Sequence, residues 1–165
     1  MTLTMVGREG PHGPDGRVRR APCVRRCQVS FVRSTPAGEP MGVDDLRRPG
    51  QLRRLNCALL GLWGLRQPCI GDAELVLTEL ATNAFQHGGG DGVTVTWCAT
   101  DAFLFIQVED SSPVRPVLRV VDESSERGRG LCIVEALAAE WGISEDGTTV
   151  HCALALPSTV PAATA

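Results

Sequence analysis

Residues 74–90 read ELVLTELATNAFQHGGG, and three polar residues in this stretch keep strict four-residue spacing. Glu79, Asn83 and His87 stand at i, i+4 and i+8, so on a helix they form one ridge, each about 40° round from the last. Val76, Leu77, Leu80, Ala81 and Ala84 fill the sector beside the ridge, and Thr78, Thr82 and Gln86 lie on its other side. The ridge therefore runs along the border between core and solvent, where a cleft can form. A carboxylate, an amide and an imidazole aligned there need partners, and a ligand would supply them. Taken alone, the same spacing also fits an amphipathic helix with a polar rim.

Working outward, the ridge helix is expected from about Asp72, after a break at Pro68, to Gln86, with Gly88–Gly90 punctuating its end. Upstream, Cys27, Val29 and Phe31 alternate with polar neighbours as a short strand, and residues 43–65 carry Leu52, Leu55, Leu59 and Leu62 on one helical stripe. Downstream, Val93–Ala99 and Phe103–Asp110 alternate around a short Thr100-Asp101 connection, as a hairpin does. Residues 111–127 are rich in Pro, Ser and charge. A helix is expected over 130–141, stopped by Gly142, with Leu131, Val134, Leu137, Ala138 and Trp141 inward; a last strand follows over Thr149–Leu156. This order predicts a two-layer α/β sandwich: a mixed, largely antiparallel sheet with helices on one face. The expected division is a disordered basic tail at 1–26, one domain at 27–156 and a frayed tail at 157–165.

Composition narrows the function classes. The 165 residues suit one domain, and no apolar run approaches a membrane span. The N-terminus lacks the apolar core of a signal peptide, which predicts a cytoplasmic protein with no membrane partner. All sixteen basic residues are arginine. Without lysine the P-loop mechanism is excluded, so a phosphate site must use backbone N–H groups, arginine and a metal. Residues 1–54 carry +6 and residues 55–165 carry −9, and so acidic a domain argues against direct nucleic-acid binding. The seven cysteines include no Cys-x-x-Cys pair; they are expected to be reduced, with Cys98, Cys132 and Cys152 behaving as small hydrophobes, and no zinc site is expected.

The pattern Glu79-x-x-x-Asn83-Ala84-x-x-His87-Gly88 resembles the N box of the histidine-kinase-like ATPase superfamily, which includes gyrase, mismatch-repair ATPases and sensor kinases. The nearest resemblance is to the small serine/threonine kinases that act as bacterial anti-sigma factors, and it covers about residues 43–156. It implies the Bergerat-type fold, ATP and Mg²⁺ as cofactors, Asn83 as the metal ligand and Glu79 as general base. The chemistry agrees: an amide oxygen suits Mg²⁺, and a carboxylate one helical turn away is placed to take a proton from an attacking hydroxyl. Asp110 closes a strand at the place where the family aspartate receives the adenine amino group. The superfamily follows that aspartate with two glycines, whereas this chain has Ser112 and Val114, which hinders close backbone approach to the base. Gly128-Arg129-Gly130-Leu131 looks like the second glycine box, where glycines and a helix start present N–H groups to phosphate. Residues 111–127 resemble a short ATP lid with Arg115 and Arg119 as phosphate contacts, and Thr149 resembles the threonine that meets adenine through water. Two readings stand for His87, a phosphate or catalytic-water contact and a cap or partly buried structural histidine. Arg129 divides similarly between a phosphate contact and a solvated side chain.

The leading expectation is an ATP-dependent protein serine/threonine kinase of the anti-sigma type. Its partners would be an anti-anti-sigma-type antagonist protein, a sigma factor and a second copy of the chain. The alternative is a nucleotide-gated binding module without useful kinase activity; Glu79 favours the enzyme, and the altered loop after Asp110 favours the module. A third reading, the ATP-binding part of a sensor kinase, would need a dimerisation or sensor segment.

Overall fold

In a computed structural model, residues 2–5, 23–36, 39–110 and 128–157 are described, with the backbone alone at 2–5, 128 and 129. The elements run β1 (Thr2–Met5), β2 (Arg25–Val32), α1 (Val43–Leu62), α2 (Cys69–His87), β3 (Gly92–Ala99), β4 (Phe103–Glu109), α3 (Gly128–Leu137), β5 (Glu140–Ile143) and β6 (Thr149–Ala155). The strands form one sheet in the order β1-β2-β3-β4-β6-β5, and every described pairing is antiparallel. The expected α/β sandwich is what the chain forms, with an antiparallel rather than mixed sheet.

Period-two alternation fixes which face of the sheet is covered. Val29 and Phe31 on β2, Val93, Val95 and Trp97 on β3, Leu104, Ile106 and Val108 on β4, and Cys152 and Leu154 on β6 are all buried. They join one core with Leu52, Leu59 and Leu60 of α1, Val76, Leu77, Leu80, Ala81 and Phe85 of α2, and Val134 of α3. Each such large apolar side chain stabilises the fold by about 1.5–3 kcal/mol over its exposed state. Phe85 meets Phe31 edge to face, with ring centroids 6.1 Å apart, which pins the end of α2 to β2.

Two polar contacts set the place of α1. The Trp97 Nε1–H donates to Asn56 Oδ1 across 3.0 Å of core, and both residues are fully buried. Asp45 accepts from the Ser34 backbone N–H at 3.1 Å, the Ser34 hydroxyl at 2.8 Å and the Thr35 hydroxyl at 3.3 Å. Burial works to raise the Asp45 carboxyl, but these bonds outweigh it and hold the group below the ordinary carboxylate value.

Three expectations need correction. The first concerns the 1–26 tail: Thr2–Met5 pairs with β2, which itself opens at Arg25. Composition hid this short edge strand, whereas residues 6–22 and 158–165 lie outside the described residues. The second is the helix over 130–141. α3 ends at Leu137, and Glu140–Ile143 instead forms β5, with Trp141 opposite Cys152 and Gly142 opposite His151. The apolar period continued through Trp141, but pairing with β6 overrides that local preference. The third concerns the cysteines. Cys98 is joined to Cys23 by a disulfide, Cα–Cα 6.0 Å, and Cys132 is exposed rather than packed. The two bonded cysteines are 75 residues apart in sequence; the pairing of Arg25 with Ala99 brings their neighbourhoods together. Cys152 is the hydrophobe it was expected to be, its thiol pushed up to about 12 by burial.

Candidate functional site

α2 carries the polar ridge where the sequence places it. Glu79 and Asn83 are half-buried between the buried row Val76, Leu77, Leu80, Ala81 and the exposed Gln86. His87 closes the helix and is exposed, so it is not a partly buried structural residue.

Two glycines bring the other predicted residues to this helix. At Gly130, in the first turn of α3, an added Cβ would lie 2.4 Å from Glu79 Oε2 and 3.2 Å from its Cδ. The carboxylate thus rests directly against the α3 backbone. At Gly88, the C-cap of α2, an added Cβ would lie 2.4 Å from the Ala84 carbonyl oxygen, 2.7 Å from Asp110 Cβ and 2.8 Å from Asp110 Oδ2. Gly88 has ordinary extended torsions, φ −64° and ψ 141°; glycine is needed there for space. Glu79 and Asp110 therefore stand at the middle and the end of one helix, each against a glycine.

The Asp110 position is held from the sheet as well. Its backbone N–H donates to the Thr148 carbonyl at 3.1 Å, and Glu109 pairs with Thr149 across β4 and β6. Thr149 is thereby placed beside the Asp110 backbone. The turn before it is braced by Asp146, which accepts from Ser144 Oγ, the Thr148 N–H and Thr148 Oγ1. These bonds, led by that from Ser144, hold the Asp146 carboxyl below its ordinary value.

Arg33 is a residue that the sequence did not single out. From just beyond β2 its guanidinium donates to the carbonyls of Phe85 and Gly88, with a longer contact to Ala84 at 3.4 Å. Helix C-termini leave carbonyls without intrahelical partners and favour a cation. Arg33 supplies both needs, fixing the turn that carries His87 and Gly88. Only the tertiary fold brings residue 33 to residue 88, so no local signal announced it.

Leu131 lies half-buried in the first turn of α3, after Gly130. Gly128 and Arg129 begin that helix. The expected lid, 111–127 with Arg115 and Arg119, lies outside the described residues. A separate groove of about 630 Å³, lined by Gly50, Arg53, Arg54, Cys57, Ala58 and Glu74, lies between α1 and α2 and includes none of the predicted site residues.

The donor set fits a magnesium nucleotide better than a protein-caged metal. Among the described residues no group of three His, Cys, Asp or Glu side chains can hold a metal ion. Asn83 offers one amide oxygen, and Mg²⁺ commonly takes one or two protein ligands and completes its shell with phosphate and water. No helix among the described residues is long and apolar enough to cross a membrane.

The family model of the histidine kinase-like ATPase domain matches residues 44–153, from the first turn of α1 into β6. No curated protein matches the chain.

Proposed function

Since the chain belongs to the histidine kinase-like ATPase domain family, we propose that it is an ATP-dependent protein serine/threonine kinase of the anti-sigma-factor type. The family supports ATP binding and kinase or ATPase chemistry. The finer reading draws its support from one observation: the Glu79 carboxylate stands against the first turn of α3, one helical turn from Asn83.

In this reading Asn83 would hold Mg²⁺, which would neutralise phosphate charge when bound. Asp110 accepts a hydrogen bond from the adenine amino group, and Thr149 lies beside it. The α3 start at Gly128–Leu131 offers N–H groups toward phosphate, with Arg129, Arg115 and Arg119 as further cations and His87 at the open end of α2. The Ser or Thr hydroxyl oxygen of a partner protein bonds to the γ-phosphorus as the bond to the β–γ bridging oxygen breaks. Glu79 takes the hydroxyl proton, and ADP leaves with the electron pair of the broken bond. The partner is an antagonist protein of the anti-anti-sigma type, with a sigma factor as the sequestered target. The C-terminal limit of the domain is proposed as residue 156, in a cytoplasmic protein.

Glu79→Gln keeps the shape of the side chain and removes the proton acceptor. ATP affinity, measured by calorimetry with magnesium, is expected to stay within about threefold, while transfer of labelled phosphate to the partner falls by about 10²–10⁴-fold. A wild-type protein that binds ATP and the partner yet transfers nothing would establish the alternative, a nucleotide-gated binding module. The serine and valine at 112 and 114 are the feature that favours it.

A further inference from the structure

Gly130 and Glu79 touch in a way that neither the glycine box nor the base role requires. A Cβ at residue 130 would stand 2.4 Å from Glu79 Oε2, 3.2 Å from Cδ and 3.6 Å from Cγ. All three near atoms belong to one side chain, and the closest is its flexible end. Among the described residues the atoms nearest to such a methyl group are all of Glu79, so it is the carboxylate that would have to move. Gly88 is the contrasting case, because its nearest atom is the Ala84 backbone carbonyl at 2.4 Å, which has no free rotor.

We propose that Gly130 is a positioning residue for Glu79, leaving the carboxylate a seat on the α3 backbone from which it faces the incoming hydroxyl. The proposal rests on the kinase reading for its effect on rate, but the seat itself is a matter of geometry. A glycine inside a helix costs stability relative to alanine. This helix accepts that cost in its first turn, where the space is taken by the end of an acidic side chain from α2. Displacement of a base by an ångström or more is enough to lower a proton-transfer rate severely, while groups that bind nucleotide elsewhere stay in place.

The test is Gly130→Ala in the full chain, read in three ways. Alanine is the better helix former, so the melting temperature should hold or rise. Phosphoryl transfer per bound magnesium-ATP should fall about 10²-fold. The double variant Gly130→Ala/Glu79→Gln should be no slower than Glu79→Gln alone, because both changes remove one function. Additive losses, or a fall in ATP affinity with transfer preserved per bound nucleotide, would overturn the proposal by making Gly130 a phosphate contact in its own right. The third readout needs no activity. In protein carrying ¹³C-carboxyl glutamate, with Glu79 assigned through Glu79→Gln, the Glu79 signal should move in Gly130→Ala more than any other carboxyl signal. If it does not, the proposal fails even in an active kinase. If it does while the wild type transfers nothing, the seat stands and the kinase reading falls.

Discussion

In the proposed reading, Asp110 is the residue on which nucleotide choice depends. A carboxylate accepts from the adenine amino group but faces a carbonyl at the same position of guanine. A site built around a hydrogen bond rejects the base that lacks the donor, since its own acceptor is left unpaired. ATP is therefore expected to bind at least tenfold tighter than GTP, and Asp110→Ala should weaken ATP while narrowing that ratio; competition with a fluorescent nucleotide measures both. Asp45 acts on stability instead. Its folded-state value is lowered by the Ser34 and Thr35 hydrogen bonds, so its stabilisation is fully present above the unfolded value, about 4, and is lost as pH falls through the lower folded value. Urea midpoints taken from pH 7 to pH 2 should drop along the acid limb in the wild type and less steeply in Asp45→Asn. The ridge residues were legible because helical spacing alone aligns Glu79 with Asn83. Asn56 and Arg33 were not, because Trp97 and the Phe85 and Gly88 carbonyls reach them only through the folded sheet.

Among the elements, α2 carries Glu79, Asn83 and the glycine that meets Asp110, so its C-terminal turn must stay wound for these groups to keep their spacing. Arg33 holds that turn from outside the helix. Arg33→Ala should cost about 1.5–3 kcal/mol, the usual scale for hydrogen bonds to a charged donor. Hydrogen exchange offers the sharper check, since the Gly88 amide, which donates to the Ala84 carbonyl at 3.0 Å, should exchange faster while amides in the middle of α1 do not change. The helices and long strands were readable because their periodicity persists over several turns or pleats. β5 was not: four residues, Glu-Trp-Gly-Ile, give too short an alternation to compete with the helical pattern that precedes them. The pairing with β6 decides their state.

At the scale of the molecule, the disulfide closes a loop that spans β2, both long helices and β3. Loop-closure entropy for 75 residues gives an upper figure of about 4.5 kcal/mol for its contribution. The urea midpoint should therefore fall on adding reductant, and Cys98→Ser should match the reduced protein and ignore reductant. An unchanged midpoint would mean that packing alone holds Cys23 beside β3. The sequence could not supply this pairing, since seven cysteines with no telling spacing leave the partner to the sheet register. That same register sets how the molecule meets others of its kind. Among the described strands the flanking pair, β1 and β5, are four residues each, while the four within run to seven or eight. A border strand shows its free N–H and C=O groups to any extended segment that drifts past. Here each border offers only a few rungs, too short a ladder to repay a stray chain for straightening alongside. Crowded together, copies of this protein are thus guarded against stacking sheet to sheet into fibrils.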